Sequence, residues 1–124
     1  MSRRDKHYGS YNCHSFASKK TEKWWNMEKC KWNDADSAAE WLCEKHGWRL
    51  VQKSDMVLGK EYVAYRWAKC DFHFIRRHKN GNWSHKVGGL TPESISQKAV
   101  FGESWSGYNG NDYNSPILLF EVIE

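Results

Sequence analysis

The clearest hydrophobic rhythm in the chain runs through its middle. "EYVAYRWA" (61–68) alternates and is rich in aromatic and β-branched residues, which predicts a strand. "DFHFIRR" (71–77) and "NWSHKV" (82–87) alternate on either side of Asn80-Gly81, a strong turn dipeptide, and predict a β-hairpin. "WRLVQ" (48–52) predicts a further strand, followed by a loop to Gly59, and "PILLFEVI" (116–123) predicts a final buried strand.

The helical period appears upstream. In "DSAAEWLCEKHG", Ala38, Trp41, Leu42 and Lys45 share one stripe. Asp36 or Ser37 is the expected cap, Ser37-x-x-Glu40 resembles a capping box, and Gly47 is the expected stop. A shorter pattern from Tyr11 through Cys13, Phe16 and Ala17 predicts about two helical turns ending near Lys19-Lys20, where cations suit a helix C-terminus. Residues 26–34 fit a loop. Thr91 is expected to cap a short helix with Pro92 at its first position. Residues 102–115, rich in Gly, Asn and Ser, predict no element. Helices followed by an antiparallel sheet make an α+β domain.

Composition adds three constraints. At 124 residues the chain suits one domain, residues 1–124, with residues 1–7 a flexible polar N-terminus. Eight Trp, six Tyr and five Phe point to an aromatic core. The net charge of +4 is mild, and the cations are interspersed with acids, which argues against a nucleic-acid binder. Stacking on Trp24-Trp25 beside Arg76-Arg77 and Lys86 is the form such binding would take. No apolar run resembles a secretory signal or a membrane span, so a cytoplasmic protein without a membrane span is expected, with its four cysteines reduced.

Two segments carry candidate chemistry. In "YNCHSFA" (11–17), Asn12 can cap a helix that opens with Cys13. A thiol there meets the positive end of the helix dipole and unpaired N–H groups, which favour the nucleophilic thiolate and can stabilise an oxyanion. The plainer reading is a small buried cysteine on an apolar helix face. The hairpin changes the balance. A cysteine nucleophile needs an imidazole, and that imidazole needs an orienting group. His73 and His85 stand on the two arms and can meet across adjacent strands. Asp71, two residues before His73, is the alternative third member. Trp83 shares a face with His85 and can wall the cleft, whereas His78 falls at the turn in solvent. Cys43-x-x-His46 and Cys70-x-x-His73 give a rival zinc reading. It is disfavoured because residues three apart on a strand point to opposite faces and the usual finger spacing is absent. No metal and no cofactor is expected.

"YNCHSF" resembles the "DCSGF"-type nucleophile motif of the NlpC-type branch of the papain-like cysteine hydrolases. "HFIRRHKNGNWSH" is similar to that branch's histidine-strand-turn-strand-histidine segment. The chain looks like one of the small bacterial or phage proteins of this group, and the match covers roughly residues 8–17 and 71–89. The resemblance implies a papain-like fold, with N-terminal helices packed on an antiparallel sheet. It implies Cys13 as nucleophile, His73 as base and His85 as orienter. Tyr8 or Tyr11 would border the cleft, and Asn12 or a backbone N–H would help the oxyanion. Departures at His14-Ser15 and Phe74-Ile75 imply a cleft reshaped away from peptidoglycan stems.

The expected function is therefore a cysteine peptidase, amidase or related acyl-transfer enzyme. It would act on a peptide, amide or ester substrate, with a host protein among the candidate partners. The rival is a non-catalytic interaction or inhibitor protein of phage origin on the same fold.

Overall fold

The computed structural model describes residues 31–68, 71–85, 92–106 and 112–123. The expected first helix, with Cys13, lies outside these residues, as do residues 1–7, Trp24-Trp25, Lys86 and Thr91.

Helix α1 spans Ala35–His46. Its cap is Asp34, not Asp36 or Ser37: the Asp34 carboxylate accepts from the Ser37 N–H at 2.9 Å. The Ser37 hydroxyl instead accepts from the Lys31 N–H at 3.0 Å, so the expected capping box does not form. An Asp at this position satisfies an orphan helix donor and opposes the dipole at once. Gly47 ends the helix in the left-handed conformation with φ 69°, and its N–H donates to the Cys43 carbonyl.

Six strands follow: β1 (Arg49–Val51), β2 (Tyr62–Trp67), β3 (Phe72–Arg77), β4 (Trp83–His85), β5 (Glu93–Ile95) and β6 (Leu118–Glu121). They form one antiparallel sheet in the order β1-β6-β2-β3-β4-β5. The last strand inserts between the first two, which explains why "PILLFEVI" is so apolar. The segment after Thr91 differs from expectation. Glu93–Ile95 extends the sheet beside β4, and the short helix α2 begins only at Gln97, capped by Ser96, and runs to Val100. Pairing with an existing edge satisfies the backbone of residues 93–95 without a helix.

The two faces of the sheet pack differently. On one, Val63, Tyr65, Phe74 and Phe120 meet Ala38, Leu42 and Trp48 from α1 and its C-terminal flank. Arg76 and Glu61 form an ion pair on this side, both almost wholly buried. On the other face, Tyr62, Ala64, Ile75, Trp83 and Leu119 meet Val100, Trp105 and Tyr113. Residues 102–106 and 112–115, where no element was expected, thus contribute to a packed layer, with Trp105 and Tyr113 joined as an isolated antiparallel bridge. No described helix is long and apolar enough to cross a membrane.

The hairpin that joins β3 to β4 fixes the register of both histidine-bearing strands. The His78 carbonyl accepts from the Gly81 N–H, and the His78 N–H donates to the Asn82 carbonyl. Gly81 has φ 90°, so the turn closes with a left-handed residue, as a three-residue hairpin loop requires. A Cβ on Gly81 would stand 3.0 Å from the Leu58 side chain. Gly81→Ala should therefore destabilise the domain by about 1–2 kcal/mol, the cost of an L-residue in this conformation. The urea midpoint at pH 7 measures this, and an unchanged midpoint would refute the strain.

Candidate functional site

Strand alternation places His73, Ile75 and Arg77 on one face of β3. The register pairs Ile75 with His85, so His73 and His85 are diagonal neighbours on the same face of two adjacent strands. Their rings close that diagonal. His73 Nε2 lies 2.8 Å from His85 Nδ1, and the rings meet edge to face at 75°. One of these nitrogens carries the proton, and the other accepts it in the hydrogen bond. If His73 Nε2 donates, His73 Nδ1 holds a lone pair, as a proton acceptor must.

His73 is only 6 % exposed. The Tyr113 ring stacks on it at 5.4 Å and 25°, and Trp105 meets it edge-on at 6.0 Å. Arg66, its cross-strand partner on β2, lies on the same face. Burial, reinforced by repulsion from a charged His85, pushes the His73 pKa down to about 3. Burial also lowers the pKa of His85. Both rings are neutral at pH 7.

The remaining predicted residues are distributed as follows. Cys13, Asn12, Tyr8 and Tyr11 lie outside the described residues. Asp71 is exposed, and its carboxylate engages neither histidine: Oδ1 accepts from the Phe72 N–H, and Oδ2 accepts from the Tyr113 hydroxyl at 2.9 Å. Trp83 is buried in the packed layer, where it meets the Phe101 ring and donates from Nε1 to Gln97 Oε1. His78, expected in solvent, is half-buried, with its Nε2 bonded to the Ser84 hydroxyl.

The rival metal reading finds no geometric support. Cys43 and His46 ride on α1, on one side of the sheet, while His73 faces the other. The His46 ring is stacked on Trp48 at 4.4 Å, and His73 Nε2 is taken by His85. Cys70 lies outside the described residues. Among the described residues, no group of three or more His, Cys, Asp and Glu is arranged to hold a metal ion.

Three residues that shape this site escaped the sequence reading: Arg66, Trp105 and Tyr113. Arg66 donates from Nε to the Ser115 carbonyl, from Nη1 to Gly102 and from Nη2 to Glu103, at 2.7–2.8 Å. Its signal was present as an arginine at an inward position of a strand buried on both faces. The two aromatic rings had a weaker signal, as large apolar groups in an otherwise polar segment.

Fold and site together define a mixed α+β domain whose open antiparallel sheet carries a buried, hydrogen-bonded pair of imidazoles. Residues 3–118 match the model of a family described as a domain of unknown function, DUF7689, and the chain belongs to that family. No curated protein and no solved structure matches the chain.

The buried imidazoles make stability depend on pH. Below the ordinary value of 6.5 the unfolded chain takes up a proton that native His73 refuses until about pH 3. Its contribution is complete above 6.5 and is lost as pH falls through that window, at up to about 1.4 kcal/mol per pH unit. His85 adds in the same direction. Urea unfolding of wild type and His73→Gln between pH 6.5 and 4 checks this. The variant should have the shallower slope, and equal slopes would exclude a neutral buried His73.

Proposed function

We propose that the protein is a papain-like cysteine hydrolase in which Cys13 is the nucleophile, His73 the base and His85 the group that orients the base. The observation that carries this reading is the 2.8 Å hydrogen bond between His73 Nε2 and His85 Nδ1. A catalytic imidazole must be held in one orientation and one tautomer by a third group. A histidine pair on adjacent strands, one ring bonded edge-on to the other, meets that requirement. The mixed α+β architecture with an antiparallel sheet is compatible with the papain-like fold that the sequence motifs suggest.

In this mechanism His73 Nδ1 takes the proton of the Cys13 thiol. The sulfur attacks an amide or ester carbonyl carbon, forming a C–S bond and a tetrahedral oxyanion. The imidazolium then returns its proton to the departing amine or alcohol as the C–N or C–O bond breaks. Water, deprotonated by the same ring, cleaves the thioester and restores the thiol. Burial alone makes His73 a weak base, and an adjacent thiolate offsets this by stabilising the imidazolium. Departures from the NlpC-type pattern at His14-Ser15 and Phe74-Ile75 favour a substrate other than a peptidoglycan stem, with a host protein among the candidates.

A second reading is favoured by the burial of His73. On that reading the pair is part of a packed core, and the domain is an interaction or inhibitor protein of phage origin. The two readings separate in the pH dependence of iodoacetamide labelling at the four cysteines, followed by peptide mass spectrometry. The enzyme reading expects fast labelling of Cys13 alone near pH 6, slowed at least tenfold by His73→Ala, as loss of a general base entails. A Cys13 that behaves as an ordinary thiol with pKa about 8.5 would leave the interaction reading.

A further inference from the structure

We infer that Asp71 and Tyr113 form a positioning pair for His73, in which the carboxylate fixes the tyrosine ring and that ring fixes the plane of the imidazole. Its bearing on catalysis rests on the reading of His73 as a base.

The tyrosine is held at both ends. Its backbone exchanges two hydrogen bonds with Trp105, at 2.9 and 2.8 Å. Its hydroxyl donates to Asp71 Oδ2 at 2.9 Å. Asp71 is itself anchored at the β2–β3 turn, where its carbonyl accepts from the Ala68 N–H and its Oδ1 accepts from the Phe72 N–H. The ring between these anchors lies nearly parallel to His73, at 5.4 Å and 25°. Trp105 closes a second side of the imidazole and His85 bonds one edge. Rotating the His73 ring by half a turn about its Cβ–Cγ bond would replace Nε2 by a carbon opposite His85. The aromatic walls oppose such rotation, and the Asp71 anchor keeps one wall in place.

The arrangement also separates position from charge. A carboxylate bonded directly to an imidazole favours its protonated form. Here the carboxylate reaches His73 only through a neutral phenol. Among the described residues, the groups that face His73 are Arg66 from β2, His85 from β4 and the Tyr113 and Trp105 rings, and none of them is a carboxylate. Asp71 therefore orients the ring without holding a proton on it.

The test uses the full chain labelled with 15N-histidine. Long-range 1H–15N spectra at pH 7.5 read the tautomer of His73, and iodoacetamide labelling reads the reactivity of Cys13. Tyr113→Phe keeps the ring and loses the hydroxyl, and Asp71→Ala loses the acceptor. Each should convert a single His73 tautomer into a mixture and slow Cys13 labelling about fivefold, the factor of a typical net hydrogen bond. Asp71→Asn retains an acceptor oxygen and should recover most of both signals. The double variant should be no worse than either single one, because both remove the same bond. A lowered melting temperature with an unchanged His73 tautomer would overturn the inference and leave the contact merely structural. If His73→Ala leaves Cys13 labelling unchanged, the hydrolase reading fails. The tautomer shifts in Tyr113→Phe and Asp71→Ala would still uphold the positioning pair.

Discussion

The face of the sheet that carries the two imidazoles depends on one guanidinium. Arg66 points from the middle of the sheet into a segment with little regular structure of its own. It donates to the carbonyls of Gly102, Glu103 and Ser115. The bond to Ser115 is buried, and that carbonyl would otherwise be an acceptor without a partner, at a cost of roughly 1–3 kcal/mol. The cation also lies over the Trp105 ring, at 5.4 Å from its centroid. Arg66 thus ties residues on either side of this segment, Gly102, Glu103 and Ser115, to β2. Trp105 and Tyr113, which cover His73, lie between the residues that Arg66 binds. Arginine suits this role because its planar fork satisfies several acceptors at once and its charge is not easily lost.

This explains how one sheet supports two unlike layers. The α1 side is held by interlocking rings and aliphatic groups beside the buried Arg76–Glu61 ion pair, and the helix supplies its own backbone hydrogen bonds. The opposite side is built from irregular chain, so polar bonds from the sheet must do what helix geometry does elsewhere. Arg66 supplies three, and the Ser115 hydroxyl accepts another from the Trp67 N–H. The Trp105 indole caps the end of α2 through the Val100 carbonyl. An imidazole pair fits this side because the layer there already combines aromatic packing with polar connections.

Much of the sheet was legible in the sequence, since β2, β3 and β4 show themselves through alternation and the Asn80-Gly81 turn. So was the approach of His73 to His85, which needs only strand parity and a hairpin. The cap of α1 was misassigned by two or three residues, because Asp34, Asp36 and Ser37 are all competent caps and only tertiary packing chooses among them. The insertion of β6 between β1 and β2 was not legible, for strand order depends on contacts distant in sequence. β5 was hidden behind Thr91-Pro92, a local helix signal that lost to pairing with the edge of β4. Tyr113 and Asp71 are 42 residues apart, and no local pattern joins them. Nothing in the sequence alone could show that Asp71 reaches a tyrosine and not an imidazole.

The choice of a histidine as orienter has a physical consequence for the proposed chemistry. In a buried site an isolated imidazolium is costly, so His73 rests neutral. A carboxylate orienter would relieve that cost in advance and leave a proton on the ring before any thiol had given one up. A neutral imidazole supplies direction without that bias. Proton transfer from a thiol would then create imidazolium and thiolate together, each charge offsetting the burial of the other. The hydrogen bond between His73 and His85 and the aromatic walls of Tyr113 and Trp105 act in this one sense. They fix where the ring points while leaving its proton to be decided by the partner it meets.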